Sequence, residues 1–179
     1  RGSALLGAER KHAEALAQRD RLRAAPTALE RWAIFDTTGV DINAARIEQL
    51  KAGHDATREI EPPALKASTL KYASDMAACA DAGFIIVTVP TPVDAANQPD
   101  LGPVEGATRA LAKVITAASK PIIVYESTVY PGVTEEFCGP IIEAVSGLKR
   151  GRDFTLGYSP ERINPGDREH TVDKIIKVV

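Results

Sequence analysis

The chain has 179 residues, 44% of them hydrophobic, enough for one sizeable core and too few for two ordinary domains. A formal charge of -2 and a pI near 6.0 argue against nucleic acid or an anionic membrane as the principal partner. No apolar run approaches the ~20 residues of a membrane span and the start lacks a signal-peptide core, so a soluble, cytoplasmic protein is expected.

Residues 7–25 are rich in Ala and Arg, with Ala13, Leu16 and Leu22 loosely at helical spacing, and Pro26 ends any helix there. His12, among charges, reads as a solvated side chain. Thr27 and Glu30 stand in capping-box relation ahead of a second short helix, although residues 32–35 read equally well as a strand. From Gly39 the pattern becomes regular. Val40-Asp41-Ile42 ends a short strand, Asn43 caps a helix carrying Ile47 and Leu50, and Gly53 stops it. Residues 57–67 suggest a short helix interrupted by Pro62-Pro63, residues 70–73 a strand, and Ser74 a cap on another short helix.

The strongest buried-strand signal is Phe84-Ile85-Ile86-Val87-Thr88-Val89, which runs into Pro90-Thr91-Pro92 and a polar loop. Pro103 then sits at the first position of a helix carrying Val104, Ala107, Leu111, Val114 and Ala118. Residues 122–125 form a short β-branched run of the kind buried on both faces of a parallel sheet, broken abruptly by Glu126-Ser127-Thr128. Residues 133–145 read as a helix disturbed by Gly139-Pro140, residues 154–158 as a strand, and residues 175–179 as another strand that the chain leaves unfinished, an unexpected natural end. Cys79 and Cys138 have no metal-ligand spacing, so neither a disulfide framework nor a metal site is expected, and both read as small core residues. Strands alternating with helices at this rhythm imply βαβ units, a parallel sheet and right-handed crossovers.

In such a sheet ligands bind outside the carboxyl ends of the strands, which draws attention to Asp41, to Val89, Pro90 and Thr91, and to Ser127 and Thr128. Ser127 and Thr128 could equally cap the helix that follows. A carboxylate placed like Asp41 is what a dinucleotide-binding fold uses on the adenosine ribose. The G-x-G-x-x-G turn that should precede it by about 20 residues is absent, and Gly7 stands alone in that region.

The motifs Val40-Asp41-Ile42-Asn43, Lys51-Ala52-Gly53-His54-Asp55, Val87-Thr88-Val89-Pro90-Thr91-Pro92 and Gln98-Pro99-Asp100-Leu101 follow one another in order. They continue through residues 125–132 to Gly157-Tyr158-Ser159-Pro160-Glu161-Arg162-Ile163-Asn164-Pro165-Gly166-Asp167. With these, residues 39–179 resemble the N-terminal domain of the UDP-glucose/GDP-mannose dehydrogenase family, and within it the UDP-N-acetylglucosamine 6-dehydrogenases of surface-polysaccharide pathways. The expected fold is α/β, a Rossmann-like parallel sheet with flanking helices, incomplete at the N-terminal strand and Gly-rich loop. Residues 1–38 are then an atypical Ala/Arg-rich segment, compatible with a disrupted reading frame, ahead of a partial NAD-binding domain in residues 39–179.

The resemblance implies NAD as cofactor, a UDP-amino sugar as substrate and a twofold oxidation at its C6. It implies that Asp41 holds the adenosine ribose, that Val89, Pro90, Thr91 and Ser127 line the cofactor, and that Thr128 orients a water beside it. Glu161 becomes the acid/base of thioester hydrolysis, with Arg162, Ile163 and Asn164 also along the sugar nucleotide. The bland readings are ion pairing for Glu161 and Arg162 and turn chemistry for residues 164–167. The family's nucleophilic cysteine matches neither Cys79 nor Cys138, so the chain by itself is expected to be inactive, and a homodimer is expected only of a complete enzyme. The alternative is a non-catalytic nucleotide-binding or interaction module, or an enzyme remnant.

Overall fold

The computed structural model describes residues 35–57, 60, 62–93 and 98–159. Its contacts separate two units, one ending at Ala73 and one beginning at Ser74.

In the first unit β1 (Thr38–Val40) pairs in parallel with β2 (Lys71–Ala73), and the ladder continues to the Asp41 N–H, which donates to the Ala73 carbonyl at 3.2 Å. Between them lie α1 (Ala44–Lys51) and α2 (Pro62–Ala67). Asn43 caps α1 as its sequence position suggests: its side chain accepts from the Arg46 N–H at 3.2 Å. Gly53, at φ +76°, takes the left-handed position beyond the helix end, where a side chain would be strained. The Pro62-Pro63 pair does not interrupt a helix. It begins one, because a proline ring presets the helical φ and the missing N–H lies among those without a helical acceptor.

The second unit opens with a 3₁₀ turn, Met76–Cys79. Asp75 caps it, not Ser74: the Asp75 carboxylate accepts from the Ala77 N–H at 2.8 Å. Next come β3 (Phe84–Val87), α3 (Gly102–Ala112), β4 (Ile122–Tyr125), a π-helical turn (Val133–Cys138), α4 (Gly139–Ser146) and β5 (Thr155–Tyr158). The three strands form a parallel sheet in the order β3-β4-β5, with Phe84 opposite Ile122 and Ile122 opposite Thr155. α3 begins at Gly102-Pro103 as expected, but ends at Ala112, so Val114 packs beyond the helix and Ala118 is exposed.

The core lies on one face of this sheet. Ile85, Val87, Ile123 and Tyr125 point into it and meet Val104 and Leu111 of α3, with Val133, Ile142 and Phe154 completing the cluster. Each fully buried aliphatic side chain contributes about 1.5–3 kcal/mol of transfer free energy. The opposite face departs from the expectation for residues 122–125. Phe84 and Ile122 are 58% and 44% exposed, so the alternation of the strand buries one face and leaves the other partly open.

The disturbance at Gly139-Pro140 has a specific form. The Gly139 N–H donates to the Thr134 carbonyl, five residues back, and Pro140 has no N–H to donate, which leaves the Glu135 carbonyl without a helical partner. The Arg150 guanidinium fills that place, donating to the Glu135 carbonyl at 3.0 Å. The chain therefore keeps winding through the proline instead of breaking.

Candidate functional site

Three strand ends of the second unit carry the motif residues, and side-chain hydroxyls tie the first two together. The ladder ends with the Glu126 N–H donating to the Val87 carbonyl at 2.8 Å. Beyond it Ser127, 2% exposed, donates its hydroxyl to the Val89 carbonyl at 2.7 Å. Thr91 reaches back and donates to the Thr128 carbonyl at 2.6 Å. Each loop thus satisfies a carbonyl of the other at a place where regular ladder bonding has stopped, and both backbones are fixed relative to each other. The Ser159 N–H, donating to the Tyr125 carbonyl at 3.0 Å, brings the end of β5 to the same side of the sheet.

Strand alternation sorts the neighbouring hydroxyls. Ser127 continues the inward set of Ile123 and Tyr125 and is buried, whereas Thr128 is exposed. The single hydroxyl proton of Ser127 is committed to Val89, so this residue can only accept a bond from a ligand. Neither residue caps the following helix, whose start at Gly132 (φ +94°) has no side-chain hydrogen bond. A cavity of about 280 Å³ opens beside these loops, lined by Val129, Tyr130, Gly132, Thr134, Glu135 and Tyr158. Tyr130 lies in the motif of residues 125–132 but was given no role from sequence, and Glu135, three residues past Gly132, lies outside every motif.

Below the loops lies a buried polar chain. Thr108 donates its one hydroxyl proton to the Val104 carbonyl at 2.7 Å, so the Tyr125 hydroxyl, 2.7 Å from Thr108 Oγ1, must be the donor of that second bond. Burial pushes the Tyr125 phenol far above the ordinary tyrosine value. Burial likewise raises the thiol of Cys138 and that of Cys79, and both are free cysteines. Such thiols stay protonated and are poor nucleophiles.

In the first unit Asp41 stands at the carboxyl end of β1, with one carboxylate oxygen accepting from the Asn43 N–H at 2.8 Å. The motif residue Asp55 is structural: its side chain is 2% exposed and accepts from Arg46 Nη2 at 3.2 Å, from the Thr57 hydroxyl at 2.7 Å and from the N–H groups of Thr57 and Ile60. The His54 side chain is exposed beside it. Glu161, Arg162, Ile163 and Asn164 lie outside the described residues, as do the expected helices before residue 35 and the expected strand at residues 175–179. Among the described residues no His, Cys, Asp and Glu side chains cluster as metal ligands, and no helix is long and apolar enough to cross a membrane.

The residues present fit a dinucleotide in part. In the first unit Asp41 keeps a carboxylate oxygen that can accept from hydroxyls, and in the second, taken by itself, residues 88–91 with Thr128 offer carbonyls and a hydroxyl at strand ends. The pyrophosphate cradle is not among them, since no two of the 13 glycines in the sequence stand two residues apart.

Comparison with known proteins gives a consistent result. The chain is 47% identical over 154 residues to the UDP-N-acetyl-D-glucosamine 6-dehydrogenase of Pseudomonas aeruginosa, covering 86% of this chain and 36% of that protein. It is 52% identical over 141 residues to Protein CapL of Staphylococcus aureus, covering 79% and 33%. Among solved structures it superposes on the UDP-D-ManNAc dehydrogenase of Pyrococcus horikoshii with a TM-score of 0.64 at 30% identity, covering 74% and 32% of the two chains. The chain thus spans about a third of the length of these relatives. Residues 27–179 match the NAD binding domain of the UDP-glucose/GDP-mannose dehydrogenase family, and the chain belongs to that family.

Proposed function

We propose that this chain is the cofactor-binding part of an NAD-dependent nucleotide-sugar 6-dehydrogenase that oxidises C6 of a UDP-N-acetylhexosamine to the uronic acid for surface-polysaccharide synthesis. The observation that carries the reading is the 47% identity over 154 residues to a UDP-N-acetyl-D-glucosamine 6-dehydrogenase. NAD would supply the hydride acceptor. Asp41 would hold the adenosine ribose, and Val89, Pro90, Thr91 and Ser127 would form the wall fixed by the two hydroxyl bonds described above. Thr128, exposed and adjoining that wall, would orient a water, while Glu161 would serve as acid/base and Arg162, Ile163 and Asn164 would contact the sugar nucleotide. The cavity beside Tyr130 and Glu135 has room for only part of a nucleotide sugar.

Burial raises the thiols of Cys79 and Cys138, so neither is suited to hold the aldehyde for the second oxidation, and with the proton relay also incomplete the 179-residue chain is expected not to carry UDP-N-acetylglucosamine through to the uronic acid by itself. A second reading, a nucleotide-binding or interaction module without chemistry, is favoured by the missing glycine turn. A chimera separates the two. Residues 39–179 are joined to the first strand and glycine loop of the Pseudomonas aeruginosa relative and to its downstream domains, and NADH formation is followed with UDP-N-acetylglucosamine. Activity is expected, with Glu161→Gln lowering turnover by about 10²–10⁴, the range for a positioned acid/base. An inactive chimera that folds and binds NAD would support the module.

A further inference from the structure

We infer that the cavity beside Tyr130 and Tyr158 is a subsite for an uncharged sugar ring, and that Glu135 within it discriminates such a ring from the corresponding uronate. The inference rests on the nucleotide-sugar reading above and names which part of that ligand enters. Thr134 lines the cavity and is 3% exposed. Two other helical hydroxyls of this unit donate four residues back, Thr108 to the Val104 carbonyl and Ser146 to the Ile142 carbonyl. The Thr134 hydroxyl makes no such bond and has no other partner among the described residues. Yet no fully enclosed side-chain oxygen or nitrogen among those residues lacks a partner, so Thr134 Oγ1 is not sealed in, and the cavity is where it stays accessible.

The rest of the lining fixes the ligand class. The Glu135 carboxylate and the hydroxyls of Tyr130 and Tyr158 likewise have no side-chain partner among the described residues. Three hydroxyls that donate or accept and a carboxylate that only accepts thus border a space of about 280 Å³, room for one substituted ring and not for a dinucleotide. Val129, Pro131 and the tyrosine rings supply apolar surface for the faces of that ring. A sugar matches this lining, with apolar C–H faces and hydroxyl donors around its rim, whereas a nucleobase or nicotinamide ring brings few donors. An anion does not match. No lysine or arginine lines the cavity, the Arg150 guanidinium is committed to the Glu135 carbonyl at 3.0 Å, and the positive start of the turn at Gly132 is already met by Glu135 and Glu136. In the proposed reaction the C6 alcohol is neutral and the C6 carboxylate is an anion, so the subsite holds the first and repels the second.

The test titrates the full 179-residue chain with N-acetylglucosamine and with N-acetylglucosaminuronate, following amide shifts by NMR. The neutral sugar is expected to shift the amides of Thr134, Glu135 and Tyr158. The uronate is expected to bind at least about fivefold more weakly, the factor for like charges about 4 Å apart even in water-like surroundings. Glu135→Gln should narrow that gap to less than about twofold while keeping the neutral sugar bound. Thr134→Val orphans no protein group, so it should leave the urea midpoint unchanged and weaken the neutral sugar about fivefold, the loss of one net hydrogen bond. No shift with N-acetylglucosamine, equal affinity for the two sugars, unchanged binding by Thr134→Val, or the same shifts produced by uridine or nicotinamide instead overturns the inference. UDP-N-acetylglucosamine separates the subsite from the reading beneath it. If it shifts amides only outside the cavity, the subsite falls and the nucleotide-sugar reading stands. If the cavity takes the free sugar while UDP-N-acetylglucosamine leaves the whole spectrum unchanged, the nucleotide-sugar reading falls and the subsite stands.

Discussion

The buried hydroxyl pair of Tyr125 and Thr108 allows a prediction in which the double variant is more stable than one of the singles. The proton count makes Tyr125 the donor and Thr108 the acceptor, with Thr108 donating onward to Val104. Thr108→Val removes the acceptor and leaves a buried phenol O–H without its partner, a cost of about 1–3 kcal/mol. The Cys138 sulfur borders both hydroxyls and is a weak acceptor, so it recovers a little of this. Tyr125→Phe removes the donor and leaves only a spare lone pair on Thr108, costing about 0.5–1.5 kcal/mol. With both polar partners gone nothing buried is orphaned, and the double variant should lose about 1 kcal/mol rather than the sum of ~3. Urea unfolding at neutral pH followed by circular dichroism measures all four proteins. With a slope of roughly 1–3 kcal/mol per molar urea, the single Thr108→Val moves the midpoint by about 1 M, and the double variant moves it back toward wild type. Additivity within about 0.3–0.5 kcal/mol would refute the assignment of donor and acceptor.

Other outcomes follow from the same contacts. Because burial holds the folded phenol of Tyr125 above its unfolded value, its contribution is fully present below about pH 10 and is lost as pH rises beyond it. Tyr125→Phe should therefore flatten the alkaline decline in stability, and an unchanged slope of midpoint against pH would count against burial of the group. Asp55→Ala should cost about 2 kcal/mol, less than the ~3–5 for a fully buried pair because Arg46 is a third exposed, and should speed amide exchange at Thr57 and Ile60. Ser127→Ala should release the Val89 carbonyl and cost about 1–2 kcal/mol, whereas Thr128→Ala should leave the urea midpoint within about 0.5 kcal/mol of wild type; equal losses would contradict the division between framework and exposed hydroxyl.

Local rules were readable wherever the determining partner is close in sequence. Asn43 caps a helix through the N–H three residues ahead, Gly53 follows a helix end, and Pro103 starts a helix, all within one turn of the residues they serve. Where two local signals compete, sequence was ambiguous: Pro62-Pro63 can end one helix or begin another, and Ser74 and Asp75 are both good caps. Partners distant in sequence were out of reach. The acceptor of Ser127 is the Val89 carbonyl 38 residues away, and the donor that completes the helix at Pro140 is Arg150. The open face of the second sheet was hidden for the same reason, since four β-branched and aromatic residues in a row state that a strand forms but not what covers each side.

A motif shared with an enzyme family mixes residues kept for chemistry with residues that hold the chemistry in place, and hydrogen-bond direction separates them here. Ser127 and Thr91 donate across to carbonyls of the facing loop, so each is a donor that the other loop's backbone requires. Removing either leaves a carbonyl at a strand end without its bond, and the damage is conformational before it is chemical. Thr128 contributes only its backbone to that arrangement, and the residue is exposed. The same division holds in the first unit, where Asp55 gathers three donors from its own loop and a fourth from Arg46 of α1, and Asp41 has one carboxylate oxygen occupied by Asn43. In both units the residue with a carboxylate oxygen or hydroxyl left over stands at or just beyond the carboxyl end of a parallel strand, which is where the doubly wound fold presents ligands, whereas Asp55 beyond α1 and Ser127 beside Thr128 are committed to holding backbone in place.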